Sequence, residues 1–341
     1  MKAPSVSFGD LPGDMIVEIL DALTAREIAK CSCLSKDWKT ASGVALLRAK
    51  IRVERAWRVG EVDPLDVNFE GGFYINCAAK HDSVVVVGGL NGIELWNLDT
   101  KCRSLFHHPD SVHSLCFNGD LLLSGHLSGH ICGWGLTRTS SRLFRFEAHT
   151  TCVLTLLDLG EVLASGAKKG DIKIWRKRDW VCESILAEHT GHVSCLASAD
   201  DGRLLISGSE DSTLRVWRLS TKRCLRELQG HSAAVSCVVV HDNTIASGSR
   251  DCTIRLWNLH NGVCVRVLDG LGGAVGSIVL SGGKIIGGVE AGAVHVWDVE
   301  KGCSLRRFRV YCLQSGVWVD NDAKLTVASR HGHAFEWDFR K

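Results

Sequence analysis

The sequence lacks the features that mark membrane, secreted and nucleic-acid-binding proteins. Its longest apolar runs are short, such as Ser83 to Gly89, whereas a membrane-spanning helix needs about 20 apolar residues. Its first residues contain no apolar core of the kind found in secretory signals. The net charge is only +2 over 341 residues, which gives no indication of binding to nucleic acid or to an anionic membrane.

Motifs for catalysis and metal binding are also missing. The sequence contains no C-x-x-C pair, so zinc binding is not expected. It has neither a G-x-x-x-x-G-K-[ST] phosphate loop nor an H-E-x-x-H metal helix. We therefore expect a protein without catalytic activity, without a metal and without a cofactor.

Cysteine, in contrast, is abundant, with 15 residues. Two groups recur at matching places along the chain: Cys102, Cys182, Cys224, Cys264 and Cys303 in one group, and Cys77, Cys116, Cys195 and Cys237 in the other. A cysteine that recurs in this way is expected to serve as a small core residue. Free buried thiols indicate a reducing compartment, so the prediction is a cytoplasmic or nuclear protein.

The dominant feature of the sequence is a repeat of about 40 residues. The segment Ser247 to Leu259 closely matches Ser207 to Leu219. Seven tryptophans, separated by 38, 41, 42, 40, 40 and 40 residues, mark the repeats: Trp96, Trp134, Trp175, Trp217, Trp257, Trp297 and Trp337. This period is typical of propeller blades with four strands each. The sequence predicts an all-β, seven-bladed propeller over residues 64–341, preceded by a small all-α module.

The repeats resemble WD repeats, and the resemblance implies a hydrogen-bond chain from aspartate through histidine and serine to tryptophan. The fourth repeat has Asp211, His189, Ser207 and Trp217, and the fifth has Asp251, His231, Ser247 and Trp257. In the third repeat, Lys169 replaces the aspartate. A catalytic Ser-His-Asp triad would not recur once per repeat, so we interpret these residues as structural. The fourth and fifth blades are expected to be the stiffest.

Closure of the ring poses a problem at the last repeat. Only four residues follow Trp337 (341 − 337), which are too few for an outer strand, and a bare sheet edge favours mispairing. We therefore predict that residues 65–70, upstream of the first repeat, supply the missing strand.

The segment before the repeats has a helical pattern. Asp10 and Pro12 suit a helix start, and Thr24 to Glu27 forms a capping box. Together with Lys36-Asp37-Trp38, the segment resembles an F-box, a module that binds the Skp-type adaptor of a cullin ubiquitin ligase. The predicted divisions are a disordered stretch at 1–7, the F-box at 8–51 and a linker at 52–63. The resemblance implies that Trp38 is in the module's core and that adaptor contacts are made by Leu11, Pro12, Ile16, Ile19, Leu20, Leu23 and Ile28.

An F-box followed by WD repeats is the arrangement of a known class of substrate receptors. The sequence therefore predicts the substrate-recognition subunit of an SCF-type E3 ubiquitin ligase, whose propeller binds a peptide degron of a protein substrate. The alternative is a WD-repeat scaffold without ligase coupling, in which the helices form a cap or an assembly contact. In both cases the partners are proteins, not nucleic acid or membrane.

Ligands of such propellers tend to bind the face that carries the turns between the second and third strands. The predicted face residues are Leu90, Leu127, Lys168, Glu210, Arg250, Glu290 and Arg330. Arg250 stands in an SGSRD context that resembles phosphodegron readers. It is flanked by Glu210 and Glu290, so two interpretations stay open: an acidic or phosphorylated peptide site, or a ring of mutually paired charges.

Five histidines lie close together in and around the second repeat: His107, His108, His113, His126 and His130. Such a cluster can indicate a metal site, but the spacing matches no ligand pattern. The favoured interpretation is ordinary loop histidines without a metal.

Overall fold

The computed structural model describes residues 75–90, 92–97, 100, 102–119, 121–136, 142–281, 283–290, 292–299, 301–309, 314–320, 324–329 and 334–338. These residues form 27 β-strands, numbered in chain order, and contain no helix. None of them is therefore part of a helix long and apolar enough to cross a bilayer. The strands form antiparallel sheets whose order follows the chain.

Six of the sheets have four strands, and each is called a blade. Blade 1 contains β1 (Ile75–His81), β2 (Val84–Gly89), β3 (Gly92–Asn97) and β4 (Arg103–His107). Blade 2 contains β5 (Val112–Asn118), β6 (Leu121–His126), β7 (His130–Gly135) and β8 (Arg142–Glu147). Blade 3 contains β9 (Val153–Asp158), β10 (Val162–Ala167), β11 (Ile172–Arg176) and β12 (Val181–Leu186).

The next three blades repeat this order. Blade 4 contains β13 (Val193–Ala199), β14 (Leu204–Ser209), β15 (Leu214–Arg218) and β16 (Arg223–Leu228). Blade 5 contains β17 (Val235–His241), β18 (Thr244–Ser249), β19 (Ile254–Asn258) and β20 (Cys264–Leu268). Blade 6 contains β21 (Val275–Ser281), β22 (Lys284–Val289), β23 (Ala293–Asp298) and β24 (Ser304–Arg309).

A final sheet contains β25 (Gln314–Asp320), β26 (Lys324–Ser329) and β27 (Ala334–Asp338). Its first strand lies beside β21 on one side and β1 on the other. The first strands of the other neighbouring blades also contact one another. In every blade the strands are called a, b, c and d in chain order.

The predicted fold of seven four-stranded blades is wrong. The described residues form a propeller with six complete blades, and the sheet that carries Trp337 has three strands. Strand β27 ends at Asp338, so the described residues after Trp337 cannot form an outer strand. The proposed closing strand at 65–70, like the predicted segments 1–7, 8–51 and 52–63, lies outside the described residues.

Burial within a blade explains why the sequence changes character from strand to strand. In β18 five of six residues are buried, whereas β20 alternates between half-buried and exposed residues before Leu268. A middle strand is covered by the neighbouring blades on both faces, so it is apolar or small throughout. An outer strand is exposed to solvent on one face, so its exposed and half-buried residues alternate along the strand.

Neighbouring blades pack through a glycine on strand b and the first valine of the next strand a. A Cβ added to Gly208 would lie 2.7 Å from Cγ1 of Val235, and Val235 is fully buried. The equivalent pairs are Gly88 with Val112, Gly125 with Val153, Gly166 with Val193, and Gly248 with Val275. Any larger residue at these glycines would force adjacent blades apart, because close-packed interiors leave no spare volume.

A chain of buried hydrogen bonds crosses blade 5. The Trp257 indole donates to Ser247 Oγ at 2.8 Å, and the hydroxyl donates to His231 Nε2 at 2.8 Å. His231 Nδ1 then donates to Asp251 Oδ2 at 2.7 Å. Blade 4 has the same chain, at 2.7–2.8 Å, through Trp217, Ser207, His189 and Asp211. Each group in the chain is satisfied, as buried polar groups must be.

Blade 3 completes the same chain from a position that the sequence comparison missed. Lys169 occupies the usual aspartate position, but His149 Nδ1 lies 2.9 Å from Asp171 Oδ2. Ser165 bonds His149 at 2.7 Å and Trp175 at 2.8 Å. The expectation that blade 3 lacks its carboxylate is therefore wrong, because the turn brings a residue two positions later to the histidine.

Blades 1 and 2 bind their tryptophans in other ways. In blade 1, where the serine is absent, Trp96 donates to the buried carboxylate of Glu94 at 3.2 Å, and Arg103 pairs with the same oxygen. In blade 2, Ser124 bonds Trp134 at 2.7 Å but takes its histidine, His126, from the end of strand b at 2.8 Å. Sequence divergence in these blades thus replaces the buried bond instead of removing it.

The recurring cysteines divide into two environments, and the prediction that all serve the core is only partly right. On strand a, Cys195 is buried and Cys77 is half-buried, and burial raises the pKa of both thiols. Cys102 and Cys303, at the start of strand d, are exposed, and Cys264 in the same place is half-buried. All twelve described cysteines are free thiols.

Ser247→Ala removes the hydroxyl that joins Trp257 to His231. The variant leaves the Trp257 indole N–H and the His231 Nε2 buried without a hydrogen-bond partner. An unsatisfied buried donor or acceptor costs about 1–3 kcal/mol, so we expect the free energy of unfolding to fall by about that amount. Urea denaturation followed by tryptophan fluorescence measures it. Ser232→Ala, which removes an exposed hydroxyl in the neighbouring loop, is the control and should change stability by less than about 0.5 kcal/mol. Equal stability of the two variants would contradict the assignment.

Asp251 makes blade 5 sensitive to acid. Burial opposes its ionisation, but hydrogen bonds from Thr253, His231 and the Ser232 backbone outweigh burial and lower the pKa of Asp251 to about 2. Since this pKa is below the ordinary value of about 3.9, the carboxylate stabilises the fold above about pH 4. That contribution, about 2 kcal/mol, is lost as the pH falls through about 2.

Comparison with Asp251→Asn isolates this contribution. We expect the difference in unfolding free energy between wild type and this variant to be constant above about pH 5 and to shrink towards pH 2. Asp242→Asn is the control, because the Asp242 side chain is 88% exposed. A wild-type advantage over Asp251→Asn that does not change with pH would show that ionisation of Asp251 is irrelevant to stability.

Candidate protein-interaction face

The first residue after strand b has an equivalent place in each blade. Six of the predicted face residues occupy it, all exposed: Leu90, Leu127, Lys168, Glu210, Arg250 and Glu290. The Arg250 N–H donates to the carbonyl of Ala234, the residue before strand a, at 2.9 Å. The same bond, at 2.8–2.9 Å, holds Leu127, Lys168, Glu210 and Glu290. These turns therefore lie at one end of the strands and form one face; Arg330 lies outside the described residues.

The charges on this face do not pair with one another as a closed ring. Glu210 Oε2 lies 2.8 Å from Nδ1 of His192, a residue of its own blade. Among the described residues, the Arg250 guanidinium makes no ion pair and no side-chain hydrogen bond. The predicted compensation of Arg250 by Glu210 is therefore not present as a contact, and the arginine is available to a ligand.

Lysines extend the positive character of the face to blade 3. Lys168 and Lys169 are consecutive and exposed, and neither forms an ion pair within the described part of the chain. Leu90 and Leu127, each 54% exposed, give the neighbouring sector above blades 1 and 2 an apolar character. The face thus combines cationic positions on blades 3 and 5 with an apolar sector.

The turn that carries Arg250 is held from below by Asp251. One carboxylate oxygen accepts the backbone N–H of Thr253 at 2.9 Å and its hydroxyl at 2.7 Å. The other accepts the Ser232 N–H at 3.1 Å in addition to His231. The turn is therefore fixed to the loop before strand a, so the Arg250 backbone loses little freedom when a ligand binds.

The structure brings two of the five clustered histidines together and adds a residue that the sequence did not suggest. Ligand atoms of His108, His126 and Cys132 all lie within 4.8 Å of one another, and the three residues are buried. The two imidazole rings are 4.2 Å apart. Cys132 lies on β7, two residues after His130, and it was missed because the search of the sequence considered only the histidines of this segment.

This cluster is in a desolvated environment. Burial, reinforced by the nearby His108, lowers the pKa of His126 to about 4. Burial raises the pKa of the Cys132 thiol to about 11, although Arg142 and Arg145 act in the opposite direction. When no cation is bound, the His126 imidazole is therefore neutral and the Cys132 thiol is protonated at neutral pH.

A cleft between blades 4 and 5 opens at the opposite end of the strands from the face. Its ionisable lining residues are Asp200, Arg203, Arg218, Arg226, Asp242 and His260. Arg203 lies 4.0 Å from Asp200, so part of its charge is compensated within the cleft. No sequence pattern distinguished this cleft, because its residues come from loops that differ between repeats.

The predicted adaptor-binding residues are not part of this geometry. Leu11, Pro12, Ile16, Ile19, Leu20, Leu23 and Ile28 lie outside the described residues. The interaction with a Skp-type adaptor therefore stays a prediction from the sequence.

The repeats match a known family model. Residues 140–176, 180–218 and 222–258 each match the WD domain, G-beta repeat. The chain is also 27% identical over 169 residues to WD repeat-containing protein slp1 of Schizosaccharomyces pombe, across 47% of this chain and 34% of slp1. It therefore spans about a third of the length of that relative.

Two solved structures share the fold. The computationally designed Ika8 protein superposes with a TM-score of 0.67 at 25% identity, covering 77% of this chain and 83% of that one. A chain in the crystal structure of the mitotic checkpoint complex superposes with a TM-score of 0.72 at 22% identity, covering 80% and 89%. Three segments of this chain therefore match WD repeats, and its described residues share the propeller fold of these two structures.

Proposed function

We propose that this protein is the substrate-recognition subunit of an SCF-type ubiquitin ligase. In this proposal residues 8–51 bind a Skp-type adaptor, and through it a cullin, while the propeller face binds a protein substrate. One observation supports substrate binding: exposed side chains lie at one end of the ring, on turns that backbone hydrogen bonds hold in place. Rigid, exposed loops on a stable scaffold are where binding residues concentrate.

The polar residues of the blades support binding and not catalysis. WD40 propellers are typically non-catalytic interaction scaffolds. Here the Ser-His-Asp sets occur in three successive blades, and each serine hydroxyl is fully buried and engaged by a tryptophan. A nucleophile must reach its substrate, which these hydroxyls cannot do.

The chemistry of the face favours an acidic segment of the substrate. Arg250, Lys168 and Lys169 are exposed cations without ion pairs among the described residues, and Glu210 is engaged by His192. Arginine suits carboxylate and phosphate equally, so an acidic and a phosphorylated degron share this chemistry.

Ligase coupling rests on the resemblance of residues 8–51 to an F-box. The apolar residues Ile16, Ile19, Leu20 and Leu23 would bind the adaptor. The propeller would then hold the substrate near a conjugating enzyme that carries ubiquitin. Such an arrangement accelerates transfer by raising the local concentration of the substrate. The free thiols of the described chain accord with a cytoplasmic or nuclear site of action.

The alternative function is a WD-repeat scaffold without ligase coupling. One observation favours it: the family matches cover segments between residues 140 and 258 and do not extend to residues 8–51. In that case the propeller face still binds a protein partner, and the N-terminal segment forms a cap or an assembly contact.

Capture of a Skp-type adaptor distinguishes the two functions. We expect the purified full chain to retain the adaptor and the triple variant Leu11→Ala/Pro12→Ala/Leu20→Ala to lose it, because the variant removes apolar surface from the predicted contact. Circular dichroism shows whether the variant keeps its β-propeller. Arg250→Glu, which alters only the face, should bind the adaptor like wild type. Failure of the wild type to bind would remove the ligase function and leave the scaffold.

Charge reversal at Arg250 tests the face separately. We expect Arg250→Glu to weaken binding of a fluorescein-labelled oligoglutamate peptide by about tenfold, since it replaces an attraction by a repulsion. Fluorescence polarisation at low ionic strength measures the change. Arg203→Glu makes the same charge reversal at the opposite end of the strands, where the side chain is 77% exposed. Equal loss in both variants would indicate non-specific electrostatics instead of a site.

A further inference from the structure

We propose that His108, His126 and Cys132 form a binding site for a thiophilic divalent cation of the Zn²⁺ type at the face end of blade 2. Binding of the cation would require neither the adaptor nor the substrate. Its three residues come from separate segments: the loop between blades 1 and 2, the end of β6, and β7. One thiolate and two imidazoles are a ligand set that zinc prefers.

His126 offers the clearest sign of a missing ligand. Its side chain is fully buried, and Nε2 is engaged by Ser124 Oγ at 2.8 Å. Nδ1 is buried and has no hydrogen-bond partner. Ser124 Oγ can accept from both the Trp134 indole and the His126 Nε2–H, which leaves the Nδ1 lone pair free. An orphaned imidazole nitrogen is costly unless something binds it.

His108 is oriented for the same role. Its Nδ1 lies 3.2 Å from the backbone carbonyl oxygen of Asp110, and its Nε2 lies 3.9 Å from Cys132 Sγ. Donation of the Nδ1–H to that carbonyl leaves the Nε2 lone pair directed at the cluster. Metal-binding histidines commonly use their second nitrogen in this way. The Asp110 N–H is also 3.2 Å from Nδ1, so metal binding would select one tautomer.

The charges near the cluster balance a divalent ion. Binding would displace the Cys132 proton to solvent, and the thiolate would supply one negative charge. The Asp110 carboxylate, with Oδ2 4.0 Å from His126 Nδ1, supplies another. Arg142 and Arg145 act on the cluster; they oppose a free cation but favour the thiolate.

The distances require only a small contraction. Tetrahedral zinc with bonds of about 2.0–2.3 Å places its ligand atoms about 3.3–3.8 Å apart, against separations within 4.8 Å here. The three atoms would therefore move together by about 1 Å. The ion would tie the loop before β5 to strands b and c, which is the connection that His231 and Asp251 make in blade 5.

Cobalt(II) is the probe for the test. We expect the full chain, purified under reducing conditions and stripped with chelator, to bind one equivalent and to develop a thiolate-to-cobalt charge-transfer band. Cys132→Ser should raise the cobalt dissociation constant at least about tenfold, because loss of an outer-shell partner alone costs 10–100-fold. Cys195→Ser, at another buried cysteine, is the matched control and should leave the band unchanged.

Two results would overturn the proposal: no charge-transfer band in the wild type, or a band of equal strength in Cys132→Ser. If Cys132→Ser does not fold, X-ray absorption of the zinc-loaded wild type decides the question. One sulfur at about 2.3 Å with nitrogen or oxygen at about 2.0–2.1 Å supports the site. A shell without sulfur, or with two or more sulfurs, contradicts it.

Discussion

The close approach of a strand-b glycine to the first valine of the next blade is the contact on which the rest of the structure depends. It sets the distance between blades, because neither backbone nor side chain can yield there. It also fixes where strand b ends, and therefore where each following turn begins. The interaction face is a consequence: five of its six described residues lie two positions after the glycine of such a pair.

The repeated part of the fold could be predicted because its signals are local. The tryptophan period located the blades, because Trp257 lies on β19 (Ile254–Asn258) and each of the other repeat tryptophans lies on the third strand of its sheet. The position after strand b followed from the same alignment, and six of the predicted face residues lie there; that they bind a substrate stays a prediction. Alternation and turn residues act over a few positions and survive in a single sequence.

Features that depend on contacts between segments could not be predicted. The alignment of the repeats did not indicate Asp171, because this residue lies two positions after the expected aspartate. The turn nevertheless brings its carboxylate into hydrogen-bond contact with His149. The meeting of His126 with Cys132 depends on how strands b and c pair and on a loop from the previous blade. The number of complete blades depends on which strand borders β27, and that information is not in the periodicity.

The buried hydrogen-bond chains have a direction, and this direction shapes the field at the face. Each chain runs from an indole N–H in the interior to a carboxylate beneath the turns, and each bond polarises the next. Asp171 and Asp251 therefore hold negative charge in the turns that carry Lys168 and Arg250, whereas Asp211 does so beside Glu210. Cations that lie close to fixed anions produce a field that decays quickly with distance. An acidic ligand would be recognised on contact, with little long-range attraction to draw it towards the ring.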